Sequence, residues 1–303
     1  MKNVSYSILL LLFALLMVNC GGDKATTEST DAIADEAPTG AKPLMAKTPG
    51  IQTYSFRASF AVDVAATLDT IRDFGFTEVE CGLDPYGLTT EEFKAMLDER
   101  GIKAVSVGAG YDEVVKNPAE IARKTKILGA SYVMVAWIPH KGNDFTLENA
   151  QKAVEDFNAA GKVLRENGIT LCYHTHGYEF RPHEGGTLFD YIMENTNPEY
   201  VSFEMDIMWV FFPGADPVAL LNKYGNRWKL MHLKDLKKGV EGNDTGGTDV
   251  RNDVALGTGQ IPLPEVLRAA KNAGVEYYFI EDESPSVTQQ VPQSLEYLKS
   301  LTE

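Results

Sequence analysis

The 303-residue sequence predicts an α/β protein of the (β/α)8, or TIM, barrel class. Three observations carry that prediction. Eight short β-rich runs alternate with amphipathic segments. The alternation extends over about 250 residues, the usual length of such a barrel. The first strand runs into Tyr54-Ser55-Phe56-Arg57, with no G-x-G-x-x-G turn of the kind a doubly wound open sheet usually places there. Length alone, at about 150 residues per domain, fits one domain or two. The unbroken alternation favours one.

The N-terminal stretch precedes the alternation. Met1–Cys20 reads MKNVSYSILLLLFALLMVNC, with Lys2 ahead of the apolar run Ile8–Val18. That run is short for a membrane span and normal for a signal-peptide core. It ends in Met17-Val18-Asn19-Cys20-Gly21-Gly22, which resembles a bacterial lipoprotein signal. The resemblance implies a lipidated Cys20 and an exported protein, held to a membrane by its lipid and facing the periplasm or the cell surface. Residues 21–47 are rich in Ala, Thr, Glu, Asp and Pro and are expected to form a flexible linker. Residues 48–303 then form the single barrel domain.

The predicted strands are Ile51–Phe56, Thr77–Cys81, Lys103–Val107, Tyr132–Val135, Thr170–Thr175, Val201–Asp206, Lys229–His232 and Tyr277–Glu281. Val62–Phe74 carries Val64, Leu68, Ile71 and Phe74 near the helical period. Thr90–Arg100 opens with Thr-x-Glu-Glu, a helix-start pattern. Further helices are predicted at Leu147–Asn167, Leu188–Met193, Pro217–Tyr224, Leu263–Ala273 and Val291–Leu301. Gly75, Gly101, Gly168 and Gly274 follow helices, where a left-handed residue is wanted. Gly257-x-Gly259 falls in a long loop. Cys81 and Cys172 lie inside apolar strands and are expected to be two buried free thiols.

The net charge of −15 excludes whole classes of partner. Nucleic-acid binding needs clustered Lys and Arg, so no nucleic acid is expected. A single apolar run, at the N-terminus, excludes a multi-span transporter.

In a (β/α)8 barrel the active site lies at the carboxyl ends of the strands. His140 follows the fourth strand, His174 and His176 end the fifth, and His232 ends the seventh. His183 lies in the loop after the fifth. None of the five histidines falls in a predicted helix. His174 and His176 are two apart and share a face. Such a pair can bind a metal, move a proton or hold a sugar hydroxyl. Glu204 and Asp206 share a face by the same period, and two carboxylates inside a barrel need a cation. A divalent metal or a nearby lysine supplies it; Glu204 alternatively serves a structural ion pair. His232 and Lys234 share a face, Lys234 suiting an oxyanion or a sugar hydroxyl. Glu281 and Glu283 alternate with Asp282. One acidic or imidazole group from each of strands five to eight makes a mixed N/O site suited to Mn²⁺ first, then Mg²⁺, Co²⁺ or Zn²⁺.

These residues resemble the xylose isomerase-like TIM-barrel superfamily, in its sugar phosphate isomerase/epimerase group. The pieces that carry the resemblance are Tyr173-His-Thr-His-Gly-Tyr-Glu-Phe180, Glu204-Met-Asp206 followed by Trp209 and Gly214-Ala-Asp-Pro217, Met231-His-Leu-Lys-Asp235, and Phe279-Ile-Glu-Asp282. The resemblance implies a metal held by Glu, Asp, His and Glu. Asp206, His232 and Glu281 match. Relatives carry the first glutamate on the fifth strand, where this chain has His174, and Glu179 just past the strand is its candidate counterpart. Trp209 stands where many epimerase relatives carry a histidine.

The expected chemistry is metal-assisted proton abstraction beside a carbonyl, through an enediolate. His174 or His176 serves as base or acid. Glu281 or Glu179 shares that role while ligating, and Lys234 stabilises the oxyanion. Tyr54, Trp137, His140, Glu204 and Trp209 are candidate substrate contacts. Export and acidic charge disfavour a phosphorylated sugar, so the expected substrate is a keto-sugar or keto-glycoside and the expected activity is that of an isomerase or epimerase. The alternatives are a lyase or hydratase using the same enolate on 3-keto-glycosides or 3-keto-glycals, and a non-catalytic carbohydrate-binding lipoprotein.

Overall fold

A computed structural model describes residues 42–303. The expected signal, the expected lipidation site at Cys20 and most of the expected linker lie outside the described residues. Eight parallel strands close into a barrel. They are β1 (Gly50–Gln52), β2 (Glu78–Gly82), β3 (Lys103–Gly108), β4 (Tyr132–Val135), β5 (Thr170–His174), β6 (Val201–Asp206), β7 (Trp228–Leu233) and β8 (Tyr277–Ile280). Closure is made where Gly50 and Ile51 of β1 pair with Phe279 and Ile280 of β8. Gly50 is needed there. A Cβ at this position would sit 2.7 Å from the Phe279 ring and 2.8 Å from the Glu78 carbonyl oxygen.

The helices of the outer ring are α1 (Val64–Asp73), α2 (Thr90–Asp98), α3 (Pro118–Leu128), α4 (Leu147–Glu166), α5 (Leu188–Asn195), α6 (Pro217–Tyr224), α7 (Leu263–Ala273) and α8 (Val287–Ser300). Side chains of Asp63, Thr89, Thr146, Thr187 and Asp216 accept the first free N–H groups of five of them. No helix among the described residues is long and apolar enough to cross a membrane. Cys81 and Cys172 are buried free thiols, as expected.

Three sequence expectations change. Thr53–Phe56 is a 3-10 helix, so β1 stops at Gln52 and lifts Tyr54 to the barrel mouth. α3 adds a helix between the third and fourth strands that the expected set lacks; it buries Ile121, Ala122, Thr125 and Leu128, a face diluted in the sequence by Lys and Arg. The linker boundary at 47 lies too late. Leu44 is buried, its N–H donates to the Leu301 carbonyl, and Lys47 pairs with Glu78.

The interior of the barrel holds two layers that follow from strand periodicity. Tyr132, Cys172, Leu230 and Phe279 form a buried apolar cluster of their own, separate from the larger core between strands and helices. Two residues further along β5, β7 and β8 stand His174, His232 and Glu281, because side chains on one face of a strand recur every second residue. The interior therefore turns from apolar to ionisable within one step.

Candidate metal centre

The polar layer is nearly sealed from solvent. Glu80, Glu204 and Asp206 have no exposed surface, and His174 and His232 almost none. Asp206 ends β6 and caps the short helix Ile207–Phe211. Its Oδ1 accepts the N–H groups of Met208 (2.8 Å) and Trp209 (3.0 Å). That fixes the carboxylate and leaves Oδ2 facing inward with no hydrogen-bond partner. His174 Nε2 lies 3.9 Å from Oδ2, and His232 Nδ1 lies 4.0 Å from it. Ligand atoms of His174, Asp206 and His232 all fall within 4.8 Å of one another, and so do those of Glu80, Glu204 and His232 on the other side of the His232 ring. Glu281 Oε2 is 3.2 Å from His232 Nδ1.

The donor set fits a divalent cation. Asp206 Oδ2, buried and without a donor, lies between two imidazole nitrogens. Buried carboxylate oxygens without donors are costly, and a cation is the usual remedy. Two imidazoles with carboxylates suit Zn²⁺, Co²⁺ or Mn²⁺ better than an oxygen-only ion.

Charge in the cluster is strongly coupled. Burial pushes the His174 imidazolium well below its usual range, so that ring is neutral. Burial also opposes charge on His232, but Glu204, Glu281 and Glu80 outweigh it and hold that ring protonated while no metal is bound. Burial, reinforced by Glu80, drives Glu204 well up, and burial raises Asp206 to about 6. Burial would raise Glu281 too, but Lys234 and His232 hold it well below the carboxylate range.

Above the cluster opens a cavity of about 510 Å³, lined by Gln52, Tyr54, His174, His176, Trp209 and Glu281 among others. His176 stacks on Trp209 at 4.9 Å and 19°. Its Nδ1 has no partner, and burial lowers its pKa to about 4. Tyr54 is 52% exposed and Trp137 41%. Trp137 stacks on His140 and meets His176 edge-on. His140 bonds the Ile138 carbonyl oxygen and packs against Tyr178 and Phe145, an aromatic support beside the cavity rather than part of its wall.

Two expected roles need correction. Glu179 does not join the ligand set. Gly177, with a φ of 100°, turns the chain into the 3-10 helix Tyr178–Phe180, and Glu179 Oε1 accepts the His176 backbone N–H at 2.8 Å. His174, expected as a base, takes the place in the cluster sought for Glu179. Lys234 is not a free donor. It is 1% exposed, and its ammonium meets Glu283 at 2.7 Å, Glu281 at 3.3 Å and Asp253 at 3.5 Å. It orders Glu281 and Glu283, two carboxylates of the cavity wall.

Glu80, Gln52 and Asp253 were not singled out in the sequence. For Glu80 a signal existed: a carboxylate set between Val79 and Cys81 at the end of an apolar strand. Asp253 carried none, because it reaches Lys234 through a small antiparallel pairing of Asp235–Leu236 with Asp253–Val254.

A closed barrel with a buried His/Asp/Glu cluster at the carboxyl ends of its strands defines a metal-dependent (β/α)8 enzyme. The chain belongs to the xylose isomerase-like TIM barrel family, whose pattern matches residues 68–301. It is similar to an inosose dehydratase of Clostridium tetani (strain Massachusetts / E88), 35% identical over 97 residues, or 32% of each chain. That match spans about a third of the relative's length. It is also similar to an inosose dehydratase of Geobacillus thermodenitrificans (strain NG80-2), 28% identical over 242 residues, covering 68% of this chain and 77% of the relative. In three dimensions it is similar to a sugar phosphate isomerase/epimerase from Parabacteroides distasonis ATCC 8503, with a TM-score of 0.71 and 23% identity over 84% of this chain and 98% of the other. At that identity the likeness bears on the fold.

Proposed function

We propose that the protein is a metal-dependent carbon–oxygen lyase acting on an unphosphorylated keto-sugar, keto-glycoside or keto-cyclitol. The observation that carries this reading is the unpartnered Asp206 Oδ2 between His174 Nε2 and His232 Nδ1 at the cavity floor. His174, Asp206, His232 and Glu281 would hold the metal, which supplies Lewis acidity toward the substrate carbonyl and an adjacent hydroxyl. His176 accepts the proton from the carbon beside that carbonyl. The released electron pair delocalises into the carbonyl as an enolate. The enolate re-forms the carbonyl as the bond to the β-oxygen breaks, and that oxygen leaves with the proton as water or an alcohol. Trp209 fixes the His176 ring and offers a face to the substrate.

Elimination is favoured over the epimerase reading for a geometric reason. Epimerisation needs a second group to return the proton from the opposite face. Among the described residues lining the cavity, His176 is the imidazole outside the ligand set, and Glu281 and Glu283 are engaged by His232 and Lys234. The phenols of Tyr54 and Tyr86 remain as proton donors, the latter made a weaker acid by burial, which raises it to about 12. The similarity to inosose dehydratases points the same way. Proton NMR in D2O tests the reading, using inosose and 3-keto-glucosides with and without EDTA. A dehydrated or aglycone-free product formed only with metal supports it. A C-epimer carrying solvent deuterium would replace it by the epimerase. Sugar binding without exchange, insensitive to EDTA, would replace it by a binding role.

We also propose export as a lipoprotein through Met1–Cys20. Radiolabelled palmitate incorporated by the wild-type chain but not by Cys20→Ala tests it.

A further inference from the structure

Four carboxylates meet at the polar layer, and two of them face the far side of the histidines. His232 presents Nδ1 toward Asp206 and Glu281, and its opposite nitrogen, Nε2, lies 2.8 Å from Glu80 Oε1. His174 is reversed. It presents Nε2 toward Asp206, and its Nδ1 lies 3.0 Å from Glu204 Oε2. The two rings therefore approach one oxygen, Asp206 Oδ2, through different nitrogens.

Glu80 is itself held. Gln52 Oε1 accepts the Tyr54 backbone N–H at 3.0 Å, which fixes the sense of the amide. Its Nε2 then donates to Glu80 Oε1 at 2.5 Å. A chain of contacts thus runs from β1 through β2 to β7, across the barrel. Glu204 is fixed differently, by the register that places it beside His174 between β5 and β6. Both carboxylates are fully buried, so neither orientation is averaged by solvent.

A ring nitrogen that ligates a metal offers its lone pair, and the other nitrogen of that ring then carries hydrogen. An acceptor on that side fixes the tautomer and raises the basicity of the ligand. We propose that Glu80 and Glu204 are positioning residues that hold His232 and His174 in opposite tautomers, so that Nδ1 of one and Nε2 of the other converge on a single metal with Asp206. This rests on the metal-centre reading and is independent of which reaction the site performs. Neither carboxylate ligates the ion. His232 donates Nε2–H to Glu80, and His174 donates Nδ1–H to Glu204.

The test uses the full chain, stripped of metal and reloaded with Co²⁺ or ¹¹³Cd²⁺. Calorimetric titration is expected to give one equivalent of Co²⁺. Glu80→Gln and Glu204→Gln are each expected to weaken Co²⁺ binding by about tenfold to a hundredfold. Both keep an acceptor of the same shape, and circular dichroism checks that they fold. The direct readout needs no variant. Long-range ¹⁵N–¹H NMR of the Cd²⁺-loaded wild-type protein is expected to show His232 metallated at Nδ1 and protonated at Nε2, with His174 the reverse. Both rings metallated through the same nitrogen would overturn the proposal. So would two equivalents of Co²⁺, which would make Glu80 and Glu204 ligands of a second ion, or unchanged affinity in both variants. None of these outcomes depends on a substrate, so failure to find catalysis would leave them separately readable.

Discussion

Lys234 Nζ lies 2.7 Å from Glu283 Oε1, with the lysine side chain 1% exposed and the glutamate 20%. The same ammonium also meets Glu281 and Asp253. An ammonium buried to this degree is tolerated only because three carboxylates surround it. Removing it leaves those carboxylates facing one another without a cation. Lys234→Met is expected to destabilise the metal-free protein by about 3–5 kcal/mol, the usual cost of breaking a buried charge pair from one side. Urea unfolding of the EDTA-treated variant checks this. A loss under about 1 kcal/mol, the usual value for an exposed pair, would mean that the lysine is solvated after all.

Metal removal acts on the same cluster from the other side. An ion that binds only the folded state at a hundred times its Kd adds about 2.7 kcal/mol of stability. For a domain of this size that is roughly 5–10 °C in Tm. Thermal melts with EDTA and after add-back of Mn²⁺, Zn²⁺ or Co²⁺ are expected to show a shift of that order. Asp206→Asn keeps the cap on Met208 and Trp209 through its remaining oxygen but loses the inward carboxylate charge. Its melting temperature is expected to respond little to added metal. A full metal-dependent shift in that variant would place the ion elsewhere.

The barrel was legible because alternation, strand length and helix-terminal glycines all point to one fold. Gly75, Gly101, Gly168 and Gly274 each take the positive φ expected of them. The centre was legible in part. Period-two spacing placed His174, Glu204, Asp206, His232 and Glu281 on inward faces, and the structure brings them together. What spacing cannot give is direction beyond a strand end. Glu179 lies five residues past His174, after a turn set by Gly177, and its carboxylate goes to the backbone. Glu80 was readable in pattern, as a carboxylate between Val79 and Cys81, but no second carboxylate or imidazole stands two residues beyond it, at the carboxyl end of the strand, to mark a polar face. Asp253 depends on a loop pairing that periodicity does not encode.

His174 and His176, adjacent in pattern, are expected to fail differently on substitution. His174→Ala removes a nitrogen from the cluster and is expected to lose bound metal, measured by elemental analysis. His176→Asn leaves the cluster intact and is expected to retain full metal. Its kcat should fall by about 10²–10⁴, the usual contribution of a positioned acid or base. Metal loss from the His176 variant with metal retained by the His174 variant would exchange their roles.

Glu179 sets a pH dependence of its own. Burial raises its carboxyl to about 7, against backbone N–H donors, including that of His176, which favour the ionised form. The unfolded chain ionises it near the ordinary value of 4.5. Between those two pH values the native protein therefore binds more protons than the unfolded one. Stability contributed at this site falls as pH rises through the window and stays at its lower level above it. Glu179→Gln keeps an acceptor for the His176 N–H and cannot ionise. The variant should match the wild type in stability below about pH 4.5. Above pH 7 it should exceed it by about 3 kcal/mol, since a tenfold change in proton affinity is worth about 1.4 kcal/mol. Chemical denaturation of both proteins at several pH values gives the difference directly, and common pH effects of the other carboxylates cancel in it. A gap that does not widen between pH 4.5 and 7 would mean that Glu179 is ionised in the native state throughout, with a cation or a donor nearby that its buried, unpartnered Oε2 does not have in this structure.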